Sequence, residues 1–206
     1  MKKNEEYIVT CIDDTDLNSG VVKIDDMVVF VPNLLIGEKA KIKIVKVNKK
    51  YAFGIITQLL EPSINRQELT CEVAKTCGGC QLQHMNYAYQ LEYKYKHVKK
   101  LFDDIEVKPI LGMNTPWYYR NKAQFPVKIK DGNVLMGFYR QHSNDVVTCK
   151  ECKIQDHAIN EVFSFIQNHI TLKMAEGLRH VFIRHSSTNE IQVVFIGKSE
   201  KPILSL

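Results

Sequence analysis

Residues 7–60 run in short stretches where apolar and polar side chains alternate, the period-two pattern of strands with one buried face. Lys39-Ala40-Lys41-Ile42-Lys43-Ile44 is the clearest stretch, with lysine on one face and apolar groups on the other. Its phase slips at Ile44-Val45 and resumes through Lys46-Val47, which predicts a β-bulge bending a long strand. Residues 7–12, 21–24, 27–31 and 51–56 predict four more strands. They are separated by the turn-rich stretch 13–20, by Asp25-Asp26 and by Pro32-Asn33. Five short strands in so few residues predict a small OB-like barrel.

The period then changes. Tyr87, Leu91, Tyr95, Val98, Phe102 and Ile105 recur at helical spacing and predict a helix with one apolar stripe, with Lys94, Lys96, Lys99 and Lys100 on its other faces. Strand alternation returns with Ala123, Phe125, Val127 and Ile129 between polar neighbours, which makes Phe125 a core residue. Asp131-Gly132 marks a tight hairpin turn into residues 134–139. A second helix carries Ile159, Val162, Phe163, Ile166 and Ile170 on one face, and two strands follow at about 179–185 and 190–196. The chain thus reads as mainly β with α/β elements in three parts: a barrel at 1–60, a cysteine loop with a basic helix at 61–114, and a central α+β domain at 115–206.

Composition narrows the class. Among 206 residues, 45% are apolar and 19 are aromatic, enough to build cores and to make disorder an unfit description. No apolar run approaches the ~20 residues of a membrane span, and the N-terminus Met1-Lys2-Lys3-Asn4-Glu5-Glu6 has no apolar signal core. A cytoplasmic monomer is the expectation. The net charge of +5 is concentrated: residues 92–130 hold nine Lys/Arg against four acids, which alone gives +5. A basic segment on a neutral body suggests a polyanion surface, though on charge alone a solvated lysine-rich helix face is the favoured reading.

In a reducing compartment, six cysteines suggest metal binding or chemistry before disulfides. Cys71, Cys77 and Cys80 lie within ten residues, and Gly78-Gly79 lets the backbone curl tightly between them. Far along the chain stand Cys149 and Cys152. Cys77-x2-Cys80 with Cys149-x2-Cys152 could be a two-knuckle zinc site that leaves Cys71 idle. Cys71, Cys77, Cys80 and one of the later pair could instead hold an iron–sulfur cluster that leaves the other idle. Cys11, mid-strand, reads as a small buried hydrophobe.

These residues resemble a known family. The N-terminal strands, with Val31-Pro32-Asn33 and Gly37-Glu38 before the Lys/Ile strand, resemble a TRAM domain, an RNA-binding OB-type barrel. Cys71-x5-Cys77-Gly78-Gly79-Cys80-x-Leu82-Gln83-His84 is similar to the cluster loop of the RNA (uracil-5-)-methyltransferases. Tyr119-Arg120-Asn121-Lys122 through Phe125 is similar to a strand of that family, and Gly137-Phe138-Tyr139-Arg140, Ser143, Val146-Val147 and Cys152 to the stretch reaching its fourth cysteine. The resemblance implies a 4Fe–4S cluster on Cys71, Cys77, Cys80 and Cys152, and it is nearest in type to the 23S ribosomal RNA enzymes.

Members of that family carry an S-adenosylmethionine fold and a catalytic cysteine in a second half. Here there is no G-x-G turn for such a cofactor, and neither Cys11 nor Cys149 sits in a nucleophile motif. The expectation is therefore an RNA-recognition and iron–sulfur portion with no catalytic or S-adenosylmethionine site of its own. Its partner would be RNA, 23S rRNA in the first instance, with Arg120, Lys122 and Arg140 as candidate contacts. The other class of reading is a stand-alone RNA-binding module around a cysteine-held zinc or iron–sulfur group.

Overall fold

The computed structural model describes residues 1–102 and 104–198 and divides them into two compact units. The first joins residues 1–68 with 81–112; the second joins 69–80 with the chain from Met113 onward. Residues 61–114 are thus shared between the two units.

In the first unit, β1 (Glu6–Thr10), β2 (Asp13–Asp14), β3 (Ser19–Ile24), β4 (Met27–Pro32), β5 (Lys39–Val47) and β6 (Tyr51–Glu61) form one sheet in the order β1-β5-β6-β4-β3-β2. The β4–β6 pair is parallel and the others antiparallel, and the sheet curls as a half-barrel. Alternation in β5 buries Ala40, Ile42 and Ile44 against Val22, Val29, Val31 and Ala52. The expected bulge is present: Ile44 faces Gly54 and Lys46 faces Phe53, so Val45 has no partner. One strand more than expected is found, because the turn-rich stretch contributes the two-residue β2 against Val21 and Gly20. Cys11 is buried in this core beside Gly20, where a Cβ would collide with the Leu34 carbonyl.

Helix α1 spans Tyr87–Lys99, and the Asn86 side chain caps it by accepting from Tyr89 N at 2.9 Å. Its buried side chain is not on the expected stripe. Tyr93 is 6% exposed and packs with Leu35 and Met85, while Phe102 and Ile105 lie beyond the helix end, 45% and 64% exposed. A tyrosine can bury its ring where its hydroxyl is bonded. The Tyr93 hydroxyl accepts from Asn18 N at 3.0 Å and donates to the Thr15 carbonyl. Tyr87 and Leu91 are half-buried and meet Gly112, and Tyr95 donates to Val107 O at 3.1 Å.

In the second unit, β7 (Lys122–Lys130), β8 (Asn133–Met136), β11 (Leu178–His185) and β12 (Ile191–Gly197) form an antiparallel sheet in the order β12-β11-β7-β8. Asp131 and Gly132 turn β7 into β8 with φ of 51° and 74°, the positive values a two-residue hairpin requires. The short strands β9 (Phe138–Tyr139) and β10 (Val146–Val147) pair beside it. Helices α2 (His157–His169) and α3 (Leu172–Ala175) follow. Ile159, Phe163 and Ile166 of α2 pack on Ala123, Phe125, Val181 and Ile183, and the Phe125 and Phe163 rings stack at 4.4 Å.

Candidate functional site

Three of the candidate cysteines belong to a loop folded onto β9. Cys77 N bonds Val73 O at 2.8 Å and Ala74 N bonds Cys71 O at 3.1 Å, so the chain turns once between Cys71 and Cys77. Gly78 N then bonds Tyr139 O at 2.9 Å, and Gln141 N bonds Thr76 O at 3.0 Å. A Cβ on Gly78 would stand 3.3 Å from that Tyr139 oxygen, a tight contact that glycine avoids. Gly79 N points at Cys77 Sγ, 3.3 Å away.

The fourth candidate enters from the loop before α2. Asn160 of α2 holds Cys152 by accepting from its N–H at 2.9 Å and donating to its carbonyl at 3.1 Å. Glu72, beside Cys71, accepts from Lys150 N at 2.8 Å and joins the two cysteine segments. The cross-strap Tyr118–Glu151–Lys153 closes the same loop: Tyr118 N bonds Lys153 O at 2.9 Å, and its hydroxyl bonds Glu151 Oε1 at 2.9 Å. Tyr118 adopts φ 55°, a strained value for a tyrosine. Nothing in the local pattern of apolar positions signals this strap.

The thiols influence one another. Burial pushes Cys80 up to about 11; the nearby Cys152, Cys77 and Cys71 add to the rise, and Arg120 opposes it. Burial also raises Cys77 and Cys152, opposed by the backbone of Gly79 for Cys77 and of Ile154 and Gln155 for Cys152. Cys149 is pushed up to about 12, by burial first and then by the same cysteines. Unlike the half-buried four, Cys149 is 5% exposed and packs in the core among Phe125, Met136 and Phe163. Among the described residues, no three Cys, His, Asp or Glu side chains form a metal-ligating group. The donor set suits a soft metal or iron–sulfur group nonetheless. Burial raises the Cys77, Cys80 and Cys152 thiols, so their thiolate forms call for a nearby cation, and the Gly79 N–H already faces the Cys77 sulfur.

The three candidate RNA contacts are exposed. Arg120 lies within electrostatic reach of Cys80, and its backbone bonds Ile154 O and Asp156 N, both at 2.9 Å. Arg140 forms an isolated bridge with Cys77. Lys122 lies over the Phe182 ring, 5.7 Å from its centre. In the first unit the lysine face of β5 is partly neutralised: Lys39 pairs with Glu61 at 3.0 Å and Lys41 with Glu6 at 2.7 Å. Lys96 of the basic helix pairs with Asp13 and Asp14.

Among the described residues, no helix is long and apolar enough to cross a membrane. Residues 3–57 match the TRAM domain family. Over 217 residues the chain is 41% identical to a protein of Halalkalibacterium halodurans named an uncharacterized RNA methyltransferase, covering 98% of this chain and 47% of the relative. Similarly named proteins of Oceanobacillus iheyensis and Clostridium acetobutylicum are 42% and 37% identical, with 98% and 97% of this chain and 47% of each relative covered. The chain spans about half the length of these curated relatives. Residues 3–57 thus carry the TRAM match, and nearly the whole chain is similar to part of proteins named RNA methyltransferases.

Proposed function

We propose that this chain is the RNA-recognition and iron–sulfur portion of an S-adenosylmethionine-dependent RNA methyltransferase that methylates C5 of a uridine in 23S rRNA. The barrel is OB-like, and the S-adenosylmethionine site and catalytic cysteine belong to sequence outside this chain. The working compartment is the cytoplasm, and the protein acts as a monomer. The observation that carries the reading is similarity to proteins named RNA methyltransferases along nearly the whole chain, and the electrostatic reach of Cys71, Cys77, Cys152 and Arg120 to Cys80 supports it.

Cys71, Cys77, Cys80 and Cys152 are the residues that would hold a 4Fe–4S cluster. Bound there, the cluster supplies a covalent brace between the cysteine loop and the segment before α2. The chain's own residues do the remaining work. Asn160 and Glu72 orient the two cysteine segments. Arg120, Lys122 and Arg140 offer cations to RNA phosphates, and each neutralised phosphate steepens the salt dependence of binding by about 0.7–0.9 in log–log slope.

The test has two parts. Anaerobically purified chain should be brown and carry about four irons and four sulfides, as ligation by four cysteines implies. It should bind ribosomal RNA fragments but transfer no tritiated methyl group from S-adenosylmethionine, whereas the gene's full-length product should transfer it to uridine C5. One zinc per anaerobic chain, lost in Cys149→Ser and kept in Cys71→Ser, would replace the cluster with the two-knuckle zinc site. Robust transfer by this chain alone would overturn its assignment as a recognition portion.

A further inference from the structure

The sheet of the second unit buries one face under α2 through Ala123, Phe125, Val181 and Ile183. Strand geometry therefore sends the alternate side chains to its opposite face. There the register sets Lys122 opposite Arg184 and Arg184 opposite Gln192. In the next row Gln124 faces Phe182, and Phe182 faces Val194. Phe182 is half-buried and its five neighbours are exposed. Lys122 Nζ and Arg184 Cζ lie 5.7 and 5.9 Å from the centre of its ring.

A central aromatic on a solvent-facing sheet is an unusual use of a large apolar side chain. Its surroundings define the chemistry that could cover it. The two rows hold two cations and no acid, so they do not complement a basic or apolar protein surface. Gln124 stands opposite the ring and Gln192 diagonally from it in the next row, both able to donate and to accept. A flat π-face, amides and cations on one face are the three elements that hold an unpaired nucleotide: stacking for the base, hydrogen bonds for its edge, charge for its phosphate. A duplex offers only phosphates to such a face, because its bases are stacked on each other.

We infer that this open face is a binding platform for single-stranded RNA, with a base stacked on Phe182 and phosphates held by Lys122 and Arg184. The inference rests on the RNA-binding reading above and adds Phe182, Arg184, Gln124 and Gln192 to it. The platform selects unpaired segments, whereas Arg120 and Arg140 by themselves would select only charge.

The experiment is fluorescence anisotropy with a labelled oligouridine and with a blunt RNA duplex of equal length, using the whole chain. The single strand should bind more tightly. Phe182→Ala should weaken it roughly 5- to 150-fold, the range that one base–aromatic stack of about 1–3 kcal/mol corresponds to. Phe182→Tyr should retain affinity, and in Phe182→Trp the added emission should be quenched by oligouridine over the constant background of Trp117. Lys122→Gln and Arg184→Gln should each reduce the salt slope by about 0.7.

Unchanged single-strand affinity in a Phe182→Ala variant that melts like wild type overturns the platform and leaves the RNA-binding reading standing. No RNA affinity in wild type overturns both. Self-association that Phe182→Ala abolishes, without RNA affinity, would make the face a protein-docking surface and overturn the proposal.

Discussion

Asn160 grips Cys152 from both sides of its peptide: Oδ1 accepts the Cys152 N–H at 2.9 Å, and Nδ2 donates to the Cys152 carbonyl at 3.1 Å. The same amide nitrogen lies 3.0 Å from Gln155 O. Asn160 therefore fixes the knuckle that presents the Cys152 sulfur, from the first turn of α2. Asn160→Ala should leave buried backbone groups without partners, at a cost of about 1–3 kcal/mol. Asn160→Asp keeps the acceptor for Cys152 N and loses the donor. Thermal melts should order the variants wild type, Asp, Ala, and iron retained after anaerobic purification should follow the same order. Full iron in Asn160→Ala would show that the knuckle holds its shape unaided.

Cys149 and Cys152 are three residues apart yet differ in surroundings. Cys149 packs in the apolar core, while Cys152 is half-buried and the backbone of Ile154 and Gln155 favours its thiolate. Cys152→Ser should abolish the brown colour and lower stability. A tie closing the loop between Cys80 and Cys152 is worth roughly 4 kcal/mol by analogy with crosslinks of such span. Cys149→Ser should keep the iron and cost only what a hydroxyl in an apolar site costs, about 1–3 kcal/mol. Iron assay and urea denaturation separate the two effects, because a metal ligand changes both and a core thiol only the second.

Much of this arrangement is legible in the chain. The slip at Ile44-Val45 marks the bulge because a strand's period is fixed at two, and any extra residue must show as a phase change. Asp131-Gly132 marks its hairpin because both positions need positive φ. The stripe on α1 misleads because periodicity weighs apolarity alone. Tyr93 is buried through hydroxyl bonds to Asn18 and Thr15, more than 70 residues away, and no local pattern encodes a partner at that separation. The Tyr118–Glu151–Lys153 strap and the pairing of Lys122 with Arg184 are unreadable for the same reason. They exist only once distant segments meet.

Glu38 is fully buried, and burial by itself raises its pKa. Arg66 and the N–H groups of Leu35 and Ser63 outweigh that and hold the carboxyl below its ordinary value. Arg66 Nη2 lies 2.7 Å from Glu38 Oε2. Removing the arginine would strand a buried charge, so Arg66→Ala should destabilise the chain by about 3–5 kcal/mol at neutral pH. A carboxyl with a depressed folded pKa stabilises above its unfolded value near 4.5 and loses that contribution as pH falls through the folded value. Glu38→Gln should flatten the stability profile below about pH 4.5. Urea midpoints at pH 7 and in acid measure both effects; an Arg66→Ala midpoint equal to wild type would show the pair contributes nothing.

His84 acts in a higher pH window. It is 5% exposed, its Nε2 has no hydrogen-bond partner, and burial, with Arg66 adding to it, holds its pKa down to about 4. Its unfolded value is near 6.5, so the folded state keeps the ring neutral while the unfolded state gains a proton on acidification. The sign follows: the contribution is complete above pH 6.5 and is lost between about 6.5 and 4, where the unfolded state binds the extra proton. The difference of about 2.5 pKa units corresponds to roughly 3 kcal/mol. Stability should therefore begin to fall below pH 6.5, before Glu38 can contribute to the loss. His84→Gln, which carries no titrating group, should remove the slope between pH 6.5 and 4.5 and leave the steeper fall below it. Urea midpoints at half-unit intervals of pH resolve the two windows. A wild-type profile flat from pH 7 to 4.5 would mean that His84 takes up its proton in the folded state as readily as in the unfolded one.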